Sequence, residues 1–257
     1  MGVPDIIKGL YATRLTHGPV ELAFTDRHGG VSCAPFDSLN LGWAGGDTPD
    51  AMAENHRLVM DDFAPRDGVE RLAELGQVHG RDVVLVGPEG PRHDVHGHLH
   101  GIGDGLVTAE PGITLSVRAA DCAPVLFADA VAGVIGACHC GRPGVVAGIV
   151  PATVAAMRDL GATSITAWVG PHVCGRCYEV PREMQDDLAA IEPATRSTTS
   201  WGTPAVDVGA GVRAQLEREG VEVVDLSRCT MESPDLFSYR RDAKRSGRQA
   251  GLIRRSA

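Results

Sequence analysis

The chain has 257 residues, 43% of them hydrophobic and 22% charged, with a formal net charge of −9. That is the make-up of an ordinary globular protein with a sizeable core, and its acidity argues against holding nucleic acid by phosphate neutralisation. Seven cysteines, an odd number, in a chain with no short loop-rich scaffold do not read as a disulfide framework. No uncharged apolar run reaches the ~18 residues of a membrane helix. Met1–Leu10 is mixed and does not form a secretion signal, so the expected location is the cytoplasm, with reduced thiols free to take metal.

In chain order, Val20–Phe24 is a predicted strand running into the polar Gly-Gly turn Thr25–Ser32. Thr48 caps a predicted helix with Pro49 in its first turn, reaching about Asp62. A short helical piece is expected over Val69–Leu75, then a strand at Val83–Val86. Gly87–Gly103 is a loop by composition and includes the histidine tract His93, His96, His98 and His100; such tracts can bind metal, but the Gly/Pro setting favours an exposed loop.

Four successive strands follow, Asp104–Thr108, Thr114–Val117, Pro124–Ala128 and Val134–His139. Gly144–Leu160 reads as one helix, kinked or started late at Pro151. Ile165–Val169 and Val221–Leu226 are strands, and Pro181–Ile191 and Asp207–Glu219 are helices, the second capped by Asp207. Glu192–Thr203 is the stretch most like a disordered one, Leu236–Tyr239 a short extended piece, and Gly251–Ile253 a last strand. Strands that run together in the middle and alternate with helices later predict one α/β (mixed α+β) domain over residues 1–257, a sandwich with a mixed sheet.

The chemistry concentrates between Leu115 and Val146, where apolar runs end at Asp121-Cys122 and at His139. A Cys or His at a strand end beside a Gly-rich loop is held at a fixed place near solvent. With His79 upstream, Cys122 and His139 would make a His2Cys metal site with an open fourth position. The separations are not those of a local metal motif, so the residues alone leave open a buried cysteine, a hydrogen-bonded histidine, or a Cys122 nucleophile with His139 or His79 as its base. Cys174-Gly-Arg-Cys177 has Cys-x-x-Cys spacing, but a zinc ribbon needs a second pair, and a structural reading is preferred. The basic stretch Arg240, Arg241, Lys244, Arg245, Arg248, Arg254 and Arg255 could serve an anionic small ligand.

Several motifs stand in order along nearly the whole chain: Thr25-Asp26-Arg27-His28-Gly29-Gly30-Val31-Ser32, Ser38-Leu39-Asn40-Leu41-Gly42, Gln77-Val78-His79-Gly80, Ala120-Asp121-Cys122-Ala123-Pro124, His139-Cys140-Gly141-Arg142, Val169-Gly170-Pro171 with Tyr178-Glu179-Val180, and Phe237-Ser238-Tyr239-Arg240-Arg241-Asp242 with Ser246-Gly247-Arg248. Together they resemble the YfiH/YlmD family, the laccase-domain or polyphenol oxidase proteins.

The resemblance implies a sandwich of two mixed sheets flanked by helices. It also implies a zinc-dependent purine nucleoside phosphorylase with an adenosine deaminase side activity, acting on purine nucleosides and phosphate. His79, Cys122 and His139 would be the ligands of Zn2+, with Cu2+ the alternative occupant in vitro. By their residue types, Asp121 beside Cys122 is a candidate acid/base or else a structural carboxylate, Arg142 is the other candidate catalytic group, and Arg27, Asn40 and Arg248 are the candidate substrate contacts. A monomer or weak dimer is expected. The competing readings are a Cys/His hydrolase acting on cell-wall precursors and a copper phenol oxidase. One departure stands out. Where the family has His-Ala-Gly-Trp-Arg-Gly, this chain has His139-Cys140-Gly141-Arg142-Pro143-Gly144, which places a second thiol beside the metal and moves the arginine one position earlier.

Overall fold

The computed structural model describes residues 9–43, 45–91 and 100–256. Its strands are β1 (Tyr11–His17), β2 (Val20–Thr25), β3 (Leu72–Ala73), β4 (Leu75–Gly76), β5 (Val83–Leu85), β6 (Gly101–Ile102), β7 (Gly105–Thr108) and β8 (Thr114–Ala119). They continue with β9 (Ala123–Asp129), β10 (Val134–Cys140), β11 (Thr166–Val169), β12 (Arg196–Thr198), β13 (Pro204–Val206), β14 (Glu222–Asp225) and β15 (Gln249–Arg255). The helices are α1 (Pro49–Phe63), α2 (Arg142–Ala147), α3 (Ile149–Asp159), α4 (Arg182–Ile191), α5 (Val208–Arg218) and the single turn α6 (Tyr239–Asp242).

Two sheets carry the fold. One has five strands in the order β1-β2-β15-β8-β3, and the other six in the order β14-β11-β9-β10-β7-β5. Both are mixed: β3 lies parallel to β8, and β14 and β5 lie parallel to β11 and β7, while the remaining neighbours are antiparallel. The expected α/β sandwich of two mixed sheets flanked by helices is the observed one.

Side-chain alternation builds the layers, since residues two apart share a face. In β10, Ile135 and Ala137 join Leu22, Phe24, Leu115 and Trp168 in the core between the sheets. Val134, Cys138 and Cys140 point the other way and pack with Val145, Ile149, Met157 and Val212 from α2, α3 and α5. The outer face of the five-stranded sheet packs Ala23 and Leu252 against Val59, Met60 and Phe63 of α1. His139 therefore belongs to the face that looks across to the other sheet, at the end of its strand.

Several elements differ from expectation. β1, not anticipated, is an edge strand paired with β2. Val69–Leu75 is not helical beyond a 3-10 turn at Val69–Arg71, because Leu72 and Ala73 are drawn into parallel pairing with β8. The long helix is two: Gly148, at φ 79°, ends α2 and starts α3 in the left-handed conformation that suits glycine. Pro151 instead sits in the first turn of α3, where no intrahelical N–H is lost. Glu192–Thr203 is ordered, with a 3-10 turn at Pro193–Thr195 and β12 paired with β13. Tyr239 begins α6 under a Ser238 cap instead of ending a strand. Of the histidine tract, His93, His96 and His98 lie outside the described residues; His100 donates its backbone N–H to the Glu74 carbonyl.

Candidate metal centre and active site

The connection from β8 to β9 passes from one sheet to the other through Ala120-Asp121-Cys122. The turn is sharp, and Asp121 adopts φ 91°, uncommon for a residue with a side chain. Three hydrogen bonds hold it there. Thr230 Oγ1 donates to Asp121 Oδ1 at 2.6 Å, the Arg240 N–H to Oδ2 at 2.6 Å, and the Val173 N–H to the Asp121 carbonyl at 3.0 Å. Cys122 is thereby presented at the mouth of the inter-sheet layer.

His79 is also set by backbone geometry, with φ 61°. The buried Asp104 carboxylate fixes this turn by accepting the N–H groups of Val78, His79 and Gly80 at 3.1, 3.0 and 2.6 Å. The same carboxylate accepts from His139 Nδ1 at 2.9 Å. Nδ1 of His139 is thus tied to this carboxylate, which leaves Nε2 as the nitrogen that could take a metal in place of its proton.

The three predicted ligands converge. One donor atom each from His79, Cys122 and His139 lies within 4.8 Å of the others, Cys122 Sγ stands 3.7 Å from His79 Nε2, and the two imidazoles meet edge to face at 4.7 Å. Burial alone would raise the Cys122 thiol, but the charge and hydrogen bond of His139, then His79, bring it down to about 6. Burial pulls His139 down, but the Cys122 thiolate and the Asp104 carboxylate outweigh it and raise the imidazole to about 9. A cluster that draws out a thiolate at neutral pH is a ready soft-donor site.

The group lines a cavity of about 910 Å³ whose wall also includes Trp43, Gln77, Arg118, Arg142, Tyr178, Tyr239, Arg240 and Arg248. Trp43 stacks on His56 and donates to Glu74, and the Arg240 guanidinium lies 4.3 Å over the Tyr178 ring. Arg118 is fixed by the Leu75 carbonyl and by reciprocal bonds between its backbone and the Gln77 amide. Burial lowers the Arg248 guanidinium, which hydrogen-bonds the Ser246 and Gly247 carbonyls.

Of the predicted contacts, Asp121, Arg142 and Arg248 line the cavity and Arg27 and Asn40 do not. Arg27 donates to the Asp37 carbonyl and covers the Phe237 ring at 4.7 Å. Asn40 is buried and accepts the backbone N–H groups of Gly42 and Arg248, so its link to the cavity is through Arg248. Arg142 opens α2 at the rim. Cys140 does not join the three converging donors: strand alternation turns it into the helix-facing core, where it is fully buried.

Asp104, Trp43, Arg118 and Tyr178 were not singled out from sequence. Asp104 was readable only as the start of a strand, and nothing local shows that its carboxylate gathers a turn 25 residues earlier. A second donor group also appears, since Cys174 and Cys177 are joined by Cys229 and Glu232, with all four donor atoms within 4.8 Å.

Fold and site together define a class: a two-sheet α/β sandwich in which two histidines and a cysteine converge in one pocket. The chain belongs to the family described as multi-copper polyphenol oxidoreductase laccase, whose model matches residues 21–256. It is 51% identical over 246 residues to a Streptomyces coelicolor protein named purine nucleoside phosphorylase, covering 93% of this chain and 97% of that one. It is 35% identical to the Escherichia coli purine nucleoside phosphorylase YfiH, over 88% and 90% of the two chains. The crystal structure of YlmD from Geobacillus stearothermophilus superposes with a TM-score of 0.85 at 30% identity, covering 96% of this chain and 99% of that one. The YfiH/YlmD resemblance read from the ordered motifs is borne out.

Proposed function

We propose that this chain is a single-domain, metal-dependent purine nucleoside phosphorylase, with Zn2+ held by His79, Cys122 and His139. The observation that carries the reading is the convergence of these three donors in the pocket lining, with His139 oriented by Asp104. The names of relatives that match over about nine-tenths of the chain support the activity. The donor set fits a borderline-soft ion: two imidazoles and one thiolate, His139 oriented by a carboxylate, and room on the cavity side. When bound, the ion supplies a Lewis acid or an activated water.

This chain's own residues then do the binding. Phosphorolysis breaks the bond between the sugar C1′ and a purine nitrogen, through a transition state with positive charge on the sugar, as in glycoside cleavage. Arg142 and Arg248 supply positive charge for phosphate. Trp43, Tyr178 and Tyr239 offer flat surfaces for the base. Asp121 holds the Cys122 turn and the α6 backbone in place; in this reading it acts by positioning. Asn40 does the same for Arg248. The adenosine deaminase side activity belongs to the same site.

Purified enzyme with inosine should release hypoxanthine and ribose 1-phosphate only when phosphate is present, and adenosine without phosphate should yield inosine slowly. Chelation should abolish both. His139→Ala should lose metal and activity together; a metal-free variant with full activity would sink the ligand assignment. The lowered Cys122 thiol beside His79 also favours a second reading, a Cys/His hydrolase. That reading predicts metal-free activity destroyed by alkylation.

A further inference from the structure

The two parallel strands β11 and β14 end side by side, with Val169 opposite Asp225. The loops that leave them stay together. His172 bridges Cys229, the His172 N–H donates to the Arg228 carbonyl at 3.1 Å, and the Thr230 N–H returns to the His172 carbonyl at 3.1 Å. The first loop then folds back on itself, with the N–H groups of Cys177 and Tyr178 both donating to the Cys174 carbonyl. Three thiols and a carboxylate meet where the loops touch: Cys174, Cys177, Cys229 and Glu232, their donor atoms all within 4.8 Å. None of the cysteines is in a disulfide.

The second-loop sulfur is prepared as an acceptor. The Cys174 N–H points at Cys229 Sγ at 3.5 Å, and the Glu232 N–H also donates to that sulfur. The turn is rigid as well: a Cβ on Gly175 would stand 2.6 Å from Ser197 Oγ and 2.7 Å from Asp207 Cβ, so this backbone is pressed against the body of the protein.

We infer that Cys174, Cys177, Cys229 and Glu232 form a second metal site, a closed four-ligand centre for Zn2+ that serves structure. Four donors of this kind complete a tetrahedral shell with no position left for substrate, in contrast to the three-donor group in the pocket. Loading releases the three thiol protons to solvent, and no redox step is involved. The clasp joins the two loops whose Val173 N–H and Thr230 hydroxyl hold Asp121, the residue before ligand Cys122. A bound ion would therefore stiffen the wall of the catalytic pocket from behind. The inference does not depend on the phosphorolysis reading.

The test is a metal count on full-length protein purified anaerobically with reductant, reconstituted with Zn2+ and freed of excess by gel filtration. Wild type should carry about two ions per chain by elemental analysis and native mass spectrometry. A variant lacking the pocket donors (His79→Ala, Cys122→Ala, His139→Ala) should retain about one, and Cys174→Ser with Cys229→Ser should also retain about one and melt several degrees lower. If that double variant does not fold, Co2+ in the variant lacking the pocket donors gives the answer: a thiolate-to-cobalt charge-transfer band with tetrahedral d–d bands is expected, weakened by Glu232→Gln. The inference is overturned if the variant without pocket donors holds no metal, if wild type and the Cys174/Cys229 variant hold the same number, or if the thiols are recovered as a disulfide.

Discussion

Asp104 offers no atom to the proposed metal, yet it touches both histidines that do. It takes the His139 imidazole N–H and gathers the backbone around His79, and those bonds hold its carboxylate below the usual range against its burial. Asp104→Asn keeps the shape and removes the charge. It should weaken metal binding by roughly 10–100-fold in a chelator competition while the protein stays folded; unchanged affinity would assign Asp104 to structure alone. Gly141 is the other quiet residue. A Cβ there would come within 2.8 Å of both Cys122 Sγ and His79 Cδ2, closer than such contacts allow. Gly141→Ala should lower metal content and melt no lower than metal-stripped wild type, because it displaces two ligands without deleting either.

At the scale of elements, the segment between β3 and β4 joins the core to the pocket wall. Its buried Glu74 accepts from Ser116 of β8 and Trp43, pairs with His56 of α1, and faces Arg118. Burial would raise this carboxyl, but Arg118 and His56 outweigh it and hold it at about 2. Its unfolded value is near ~4.3. Ionised Glu74 therefore contributes stability above that range, and the contribution is lost as pH falls toward 2. Removing one partner of such a buried cluster costs on the order of 3–5 kcal/mol. Glu74→Gln should show that loss in denaturant midpoints at pH 7, with the gap from wild type narrowing as the pH is lowered below 4.

These elements also show what sequence could and could not reveal. The strands β7 to β10 are short apolar runs between glycines, and they read correctly because both of their faces are buried. β3 and β4, two residues each, carry no period to detect, and β1 is an edge strand whose polar residues hide its alternation. His79, Cys122 and His139 were legible once the ordered motifs were set side by side. Asp104 and the Cys229 partner of Cys174 were not, since each meets its neighbours only through sheet topology.

For the whole molecule, the pocket group draws on three separate parts of the fold. His79 follows β4, Cys122 lies in the crossover between sheets, and His139 is in the six-stranded sheet. A ligand that binds only the folded state stabilises it by RT ln(1 + [L]/Kd), about 2.7 kcal/mol at a hundredfold excess over Kd. Stripping metal from wild type should therefore lower the melting temperature by roughly 5–10 °C for a chain of this size, and Zn2+ should restore it. A metal-independent melt would show that the three parts are held together without it.

The central position of β15 has a consequence for synthesis. Gln249–Arg255 lies between β2 and β8, and Arg248 enters the cavity wall just ahead of it. A nascent chain emerging from the ribosome has β2 and β8 long before the strand that separates them. Until β15 arrives, the inner edges of both strands stand open to wrong partners. Translation halted before residue 249 should yield a species captured by chaperones, with neither a finished sheet nor a finished pocket. Closure of the five-stranded sheet and completion of the pocket then become the same event.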